Sequence, residues 1–398
     1  MGAIRFYLAL SVVCSHAGIG WPIFTGTYAV MLFFAISGYC MALVLNEKYK
    51  PRDTFRFYGA RFLRLWPTYA FVIAVFFVSL EMPMEPHLNG VISNIYFYFS
   101  AISLFANETL WWFQTSPSGH LAFVRDLQPS TPVLTHITHM QNMWSVGVEL
   151  FFYLSAPFYA RSPKRILALL PIAFALHLAF IWFLPPTNPL QLRSGIAYFW
   201  IFLLGMASYW GGRIWPKPLP KLQLHATAVT CLVLALVMAL IALQQPYYFN
   251  ANHLWLRIDT GILIFCAALI PLFESTRHAR FDRSLGELSY PIYVVHWPLL
   301  QVFALHFGPV DASVGYFLIL VLAAAATLRL LIERPVDRFR TLLSEGPRHP
   351  QPFEAAMKNV KRRGRERSPE LAALLGPAIP EQSVTANDTG QQSLVPLV

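Results

Sequence analysis

Apolar residues in this 398-residue chain gather into runs of about 17–22 residues, the length that crosses a hydrocarbon core of about 30 Å. The candidate spans are 4–22, 27–46, 65–82, 91–107, 143–160, 166–184, 195–211, 224–243, 257–274, 286–306 and 313–333. In lipid a backbone must satisfy its own polar groups, which leaves helices or a closed barrel. No stretch alternates apolar and polar residues as a barrel strand does. Charged residues are only 13% of the sequence and hydrophobic ones 56%, against about 25% charged in a soluble domain. The expectation is an all-α, polytopic integral membrane protein.

Basic loops face the cytoplasm. The clearest are Lys48 to Arg64, Arg161 to Arg165, Arg213 to Lys221, Arg277 to Arg283 and everything after Arg334. Between Arg64 and Arg161 the chain must cross an even number of times, yet three candidates lie there. The polar-studded, aromatic 91–107 is the one read as interfacial or re-entrant. About ten transmembrane helices then remain, with both termini cytoplasmic and residues 83–142 as a long outer segment. Loops of that length are more often functional or partly structured than idle.

The chain divides into a transmembrane domain, 1–342, and a tail, 343–398. The tail contains "KNVKRRGRERSPE" followed by a Pro-, Gln- and Ser-rich stretch, a composition expected to be disordered and cytoplasmic. The net charge of +10 sits in loops and tail, so it reads as membrane topology and not as a nucleic-acid surface. Cys14, Cys40, Cys231 and Cys266 lie in apolar runs without metal-ligand spacing, and no metal is expected. The first segment lacks a small-residue cleavage site and is expected to stay as a span.

Ionisable groups inside lipid are costly and mark functional positions. In "RFYLALSVVCSH", Arg5 stands at the cytoplasmic start of the first span and His16 eleven residues further on. That is about 16 Å along a helix and close to three turns, so both side chains share one face. In "SYPIYVVHWP", His296 lies about 15 Å into a span that starts inside at Gly286, near the depth of His16. Ser145 and Glu149, four apart in "MWSVGVELFFY", share a face. The cytoplasmic loop "KYKPRDTFRFYGARFLRLWP" is rich in Arg, with Arg61 and Arg64 three apart. Guanidinium forks suit phosphate oxygens. Each signal alone also fits a structural role: a snorkelling arginine, a histidine satisfied by a neighbouring helix, a carboxylate balancing a buried cation, or plain topology signalling.

Taken in order, "RFYLALSVVCSH", "ARFLRLWPTY", "MWSVGVELFFYL", "LGELSYPIYVVHWPL" and "IERP" make the chain resemble acyltransferase family 3 over about residues 3–340. That family comprises membrane O-acyltransferases such as the O-antigen and Nod-factor acetylases. The resemblance implies roughly ten helices and a multi-pass protein of the cell inner (plasma) membrane. It implies transfer of an acyl group, commonly acetyl, from cytoplasmic acyl-CoA to a hydroxyl of a saccharide or lipid-linked acceptor. His16 matches the family's essential histidine, Arg5 its partner arginine, Arg61 and Arg64 its paired arginines, and Glu149 the glutamate after Trp-Ser. Two features depart from the pattern. Only four residues precede Arg5, and Asn142 stands where some members carry a histidine.

The expected chemistry follows from these positions. Arg61 and Arg64 bind the phosphates of the donor, with Arg5 near the mouth, and the thioester reaches His16. His16 acts as general base on the acceptor hydroxyl, or as a nucleophile that carries the acyl group. Glu149 orients a histidine or binds the acceptor. Ser289, Tyr293 and His296 are the candidate donors to the oxyanion. The alternative is a transporter or lipid-linked-sugar permease with intramembrane His, Glu and Arg along its path, although no internal repeat supports it.

Overall fold

The computed structural model describes residues 1–19, 26–80, 87–214, 252–276, 279–308, 310 and 313–345. The expected span 224–243 and nearly all of the tail lie outside the described residues. Met1–Ser344 form one compact unit, and its described residues are mostly helical. Its helices are α1 (Gly2–His16), α2 (Gly26–Glu47), α3 (Thr54–Leu80), α4 (Val91–Ser103), α5 (Trp144–Ser155), α6 (Pro163–Phe183), α7 (Pro189–Arg193) and α8 (Gly195–Ile214). After the undescribed stretch come α9 (Asn252–Thr276), α10 (Arg280–Phe307), α11 (Val314–Leu328) and α12 (Arg334–Glu345). A π turn over Arg329–Glu333 joins the last two. It falls where Pro335 has no N–H to return to the Leu331 carbonyl.

Among the described residues five helical stretches are long and apolar enough to cross a membrane: Gly26–Glu47, Pro163–Phe183, Pro189–Arg213, Arg280–Phe307 and Val314–Arg340. The protein is a multi-pass membrane protein in that sense. Two other helices end short of their expected spans, and α4 covers the stretch read as interfacial or re-entrant. Helix α1 has 15 residues, about 22 Å, and stops at His16 instead of continuing to residue 22. Gly18 takes φ +72° and the Ile19 amide returns to the Cys14 carbonyl at 2.9 Å, a glycine-terminated helix end. Helix α5 has 12 residues and gives way to a 3₁₀ turn at Ala156–Phe158, where Pro157 interrupts it. Helix α4, with 13 residues, is about 20 Å long, shorter than a bilayer core. Its Val91, Ile92, Ile95, Phe99 and Ile102 are exposed, an apolar face suited to lipid.

Small residues set the closest helix contacts, as lipid-embedded packing requires. A Cβ on Gly38 of α2 would stand 2.0 Å from the Phe202 carbonyl oxygen of α8, and one on Gly205 would stand 2.0 Å from that of Ala35. Likewise a Cβ on Gly286 of α10 would lie 2.7 Å from the Cα of Gly2. The Gly2–Gly286 contact at one end and a His16–His296 contact at the other make α1 and α10 run side by side in the same direction.

The segment expected to lie outside is folded and not wholly helical over its described residues 87–142. Phe113–Thr115 and Leu121–Phe123 pair as an antiparallel hairpin, Phe113 opposite Phe123. Leu88, Phe97, Ala101, Leu110 and Leu134 form a small core of their own beside the main one.

Candidate active site

The helix end at Gly18 brings His16 to the tip of α1, beside α10. Its Nδ1 lies 2.9 Å from Nε2 of His296. The two rings stack with centroids 5.2 Å apart and planes 11° from parallel. Trp297 meets the His16 ring edge-on at 4.8 Å. His296 is fully buried, whereas His16 is exposed. Sequence position placed His16 in mid-span; the structure puts it at a helix end, open on one side.

The hydrogen bonds assign the tautomers. Nδ1 of His296 is 3.2 Å from the Ile292 carbonyl oxygen, which can only accept, so that nitrogen carries the proton. With both rings neutral, Nε2 of His296 accepts from Nδ1–H of His16. Among the described residues Nε2 of His16 then has no hydrogen-bond partner for its lone pair. It faces the start of α2, where a Cβ on Gly26 would stand 3.9 Å away.

Tyr293, one turn before His296, touches the His296 ring at 5.7 Å. Its hydroxyl donates to the Asn142 carbonyl at 2.7 Å and shares a 2.6 Å bond with Ser145. Asn142 donates its amide to the Tyr293 carbonyl at 2.6 Å. The residue that departs from the family pattern thus clamps α10 to the start of α5. On the other side of Tyr293 lies a narrow cavity of about 50 Å³, lined by Arg5, Ser37, Ser145, Glu149, Ser289 and Tyr290 among others.

Arg5 and Glu149 therefore share a cavity, and among the described residues Glu149 has no histidine partner. One oxygen of its carboxylate accepts from Ser37 at 2.5 Å and from the Tyr153 hydroxyl. Arg64 lies within electrostatic reach of both Arg5 and Glu149. Arg61 stacks its guanidinium over Phe57 and Tyr153 at 5.7 and 5.9 Å, and its Nε is buried without a partner among the described residues. Beyond Arg64 a second small cavity is lined by Arg64, Arg329, Arg340, Glu287, Glu333 and Asp337 among others. Arg329 there pairs with Glu287 and Asp337, each at 2.6 Å. The "IERP" stretch supplies Glu333 to this network, a role its sequence did not disclose. Among the described residues no cluster of His, Cys, Asp or Glu has the makings of a metal site.

One more cation stands near the histidines. Arg193, at the end of α7, has its guanidinium 4.5 Å from the Trp144 ring and 5.1 Å from that of Trp111. Its charge reaches His16 and Tyr293. Between two apolar runs it reads as an ordinary loop arginine, and no spacing rule ties residue 193 to residue 16.

The site therefore consists of an exposed imidazole with a free nitrogen, a buried imidazole holding it, and an Arg–Glu cavity behind a tyrosine. Residues 1–331 match the acyltransferase domain family. The chain belongs to this acyltransferase family. Over 325 residues it is 23% identical to peptidoglycan O-acetyltransferase OatA of Listeria monocytogenes, covering 75% of this chain and 49% of that protein. It is 24% identical over 372 residues to nodulation protein 10 of Rhizobium leguminosarum, covering 85% of this chain and 93% of the relative. It is 22% identical over 364 residues to O-acetyltransferase OatA of Staphylococcus aureus, covering 85% and 57%. The chain thus spans about half the length of the peptidoglycan O-acetyltransferases it matches. No solved structure matches it.

Proposed function

We propose that this protein is a membrane-bound O-acyltransferase that moves an acyl group, acetyl in the first instance, from cytoplasmic acyl-CoA to a hydroxyl on an extracytoplasmic saccharide or lipid-linked acceptor. The observation that carries this reading is the 2.9 Å His16–His296 contact, which leaves Nε2 of His16, on an exposed side chain, without a partner among the described residues. A hydroxyl is a weak nucleophile at neutral pH, and a positioned base speeds its attack by about 10²–10⁴-fold.

In the reaction, Nε2 of His16 takes the proton of the acceptor hydroxyl as its oxygen attacks the thioester carbonyl. The carbonyl electron pair moves onto oxygen, then returns and expels the CoA thiolate. The thiolate takes the proton back from His16, so ester and free thiol leave and the enzyme is unchanged. His296 keeps the His16 ring in the right tautomer, as a positioning residue. Arg61 and Arg64 receive the donor phosphates, and Arg5 steadies the donor near the cavity. Glu149, held by Ser37 and Tyr153, balances the Arg5 and Arg64 charges. A cavity of about 50 Å³ has room for only a water or two. A pantetheine arm therefore enters only if the helices around Tyr293 part.

The topology we infer has about ten crossings of the inner membrane with both termini cytoplasmic, a catalytic unit over 1–342 and a cytoplasmic tail over 343–398. The direct test is purified full-length protein in detergent with acetyl-CoA, read as free thiol with and without a saccharide acceptor. Thiol release that depends on His16 supports the reading; no release by the wild-type protein with any acyl-CoA refutes it.

A further inference from the structure

Attack on the thioester puts negative charge on the carbonyl oxygen, and a dry site needs hydrogen-bond donors aimed at it. The three donors suggested by sequence have already committed their protons. The Ser289 hydroxyl donates to the Gly286 carbonyl at 2.7 Å. The Tyr293 hydroxyl donates to the Asn142 carbonyl at 2.7 Å. The one N–H of neutral His296 points at the Ile292 carbonyl at 3.2 Å.

Arg193 is not committed in this way. A guanidinium has five N–H bonds, and one of its Nη atoms donates to the Leu192 carbonyl at 3.1 Å. Its Nε is buried without a partner among the described residues. No carboxylate pairs with it among the described residues, whose ion pairs join other cations. Two indole faces hold its plane, and the Trp112 indole donates to the Arg193 carbonyl at 3.3 Å, pinning the backbone beneath it. A half-buried arginine without a counter-ion is costly unless an anion arrives to meet it.

We propose that Arg193 is the oxyanion-binding catalytic residue, donating guanidinium N–H bonds to the thioester oxygen as His16 withdraws the acceptor proton. The inference rests on the acyl-transfer reading above. It differs from a role in gripping an acidic acceptor, because the oxyanion forms whether the nucleophile is a sugar hydroxyl or water.

The test uses full-length protein in detergent, with acetyl-CoA hydrolysis by water read as free thiol. Arg193→Gln is expected to lower kcat for hydrolysis about 10²–10³-fold while the KM for acetyl-CoA stays within about threefold. Arg193→Lys, which keeps the charge but not the fork, should fall between. If Arg193→Gln does not elute as a folded species, Arg193→Lys decides alone, and a drop of about tenfold or more in kcat is required of it. Unchanged kcat in the folded variants overturns the assignment, as does a change confined to KM. Loss of transfer to an added saccharide with normal hydrolysis overturns it too and makes Arg193 an acceptor-binding residue. Absence of thiol release by the wild-type protein is a different result: the acyl-CoA reading itself fails, and this inference with it.

Discussion

Nδ1 of His16 and Nε2 of His296 lie 2.9 Å apart where the C-terminal end of α1 meets α10. Fourteen residues separate Gly2 from His16 and ten separate Gly286 from His296, so two glycine-spaced parallel helices present the rings to each other. His16→Ala is expected to remove acyl transfer above background, a loss of about 10³-fold or more. His296→Ala should cost about 10²-fold in kcat with little change in donor KM, because the base remains but its tautomer is no longer held. His296→Gln restores an acceptor for the His16 N–H and should recover part of that loss. Steady-state thiol release measures all three, and equal activity of His296→Ala and wild type would remove His296 as a positioning residue.

Arg61 and Arg64 lie on α3 with no direct ion pair among the described residues, and Arg61 keeps a buried, unused Nε. If they hold the donor phosphates, Arg61→Ala with Arg64→Ala raises the KM for acetyl-CoA about tenfold or more and leaves kcat within about twofold. The donor KM should also climb with added salt in the wild type and much less in the double variant. A donor KM that does not move refutes the phosphate role. The carboxylates Glu333 and Asp337 near Arg64 set the competing possibility, that Arg64 serves packing of the π turn; Arg61→Ala alone then separates the two.

Run length placed α2, α6 and α8 to within a few residues of 27–46, 166–184 and 195–211, because burying twenty apolar residues in a helix leaves little freedom at the ends. It failed where a local backbone preference interrupts an apolar run. Gly18 stops α1 at His16, and "SHAG" was a readable helix end hidden inside hydrophobic sequence. Pro157 stops α5 in the same way. The histidine pair was legible as two imidazoles at similar depth, whereas Glu149, read beside Ser145 four residues before it, is bonded instead by Tyr153 four residues after it. The Ser37–Glu149 bond, the Asn142 clamp and the position of Arg193 were not legible, since each joins residues far apart in sequence through tertiary packing alone.

Gly38 and Gly205 offer a packing prediction independent of the chemistry. Each places its Cα against a main-chain carbonyl of the opposite helix, 2.0 Å from where a Cβ would sit. A carbonyl in a helix cannot rotate aside, so any side chain must push α2 and α8 apart. Gly205→Val is expected to destabilise by about 3 kcal/mol or more. Gly59, whose Cβ position is open, is the control: Gly59→Ala should hold or slightly raise stability. Thermal unfolding in detergent reports both. Equal midpoints for Gly205→Val and wild type would show that the two helices do not meet at these glycines.

Glu108 sets the pH dependence of stability in the segment between α4 and α5. It is 7% exposed, its Oε2 has no hydrogen-bond partner among the described residues, and a Cβ on Gly147 would stand 2.5 Å from that oxygen. Burial pushes its carboxyl up to about 7. In the unfolded chain the proton leaves near the ordinary glutamate value; in the folded protein it is held until near 7. Between those values the folded state binds more protons, so stability is full below the lower value and falls as pH rises, by about 3 kcal/mol in all. Glu108→Gln supplies the same shape without the ionisation. At pH 5 its unfolding midpoint should match that of wild type. By pH 8 it should be higher by about 5 °C, the gap opening through the range from 5 to 7. A gap that stays constant from pH 5 to pH 8 would mean that Glu108 is solvated or paired, and that the packing around Gly147 is built differently.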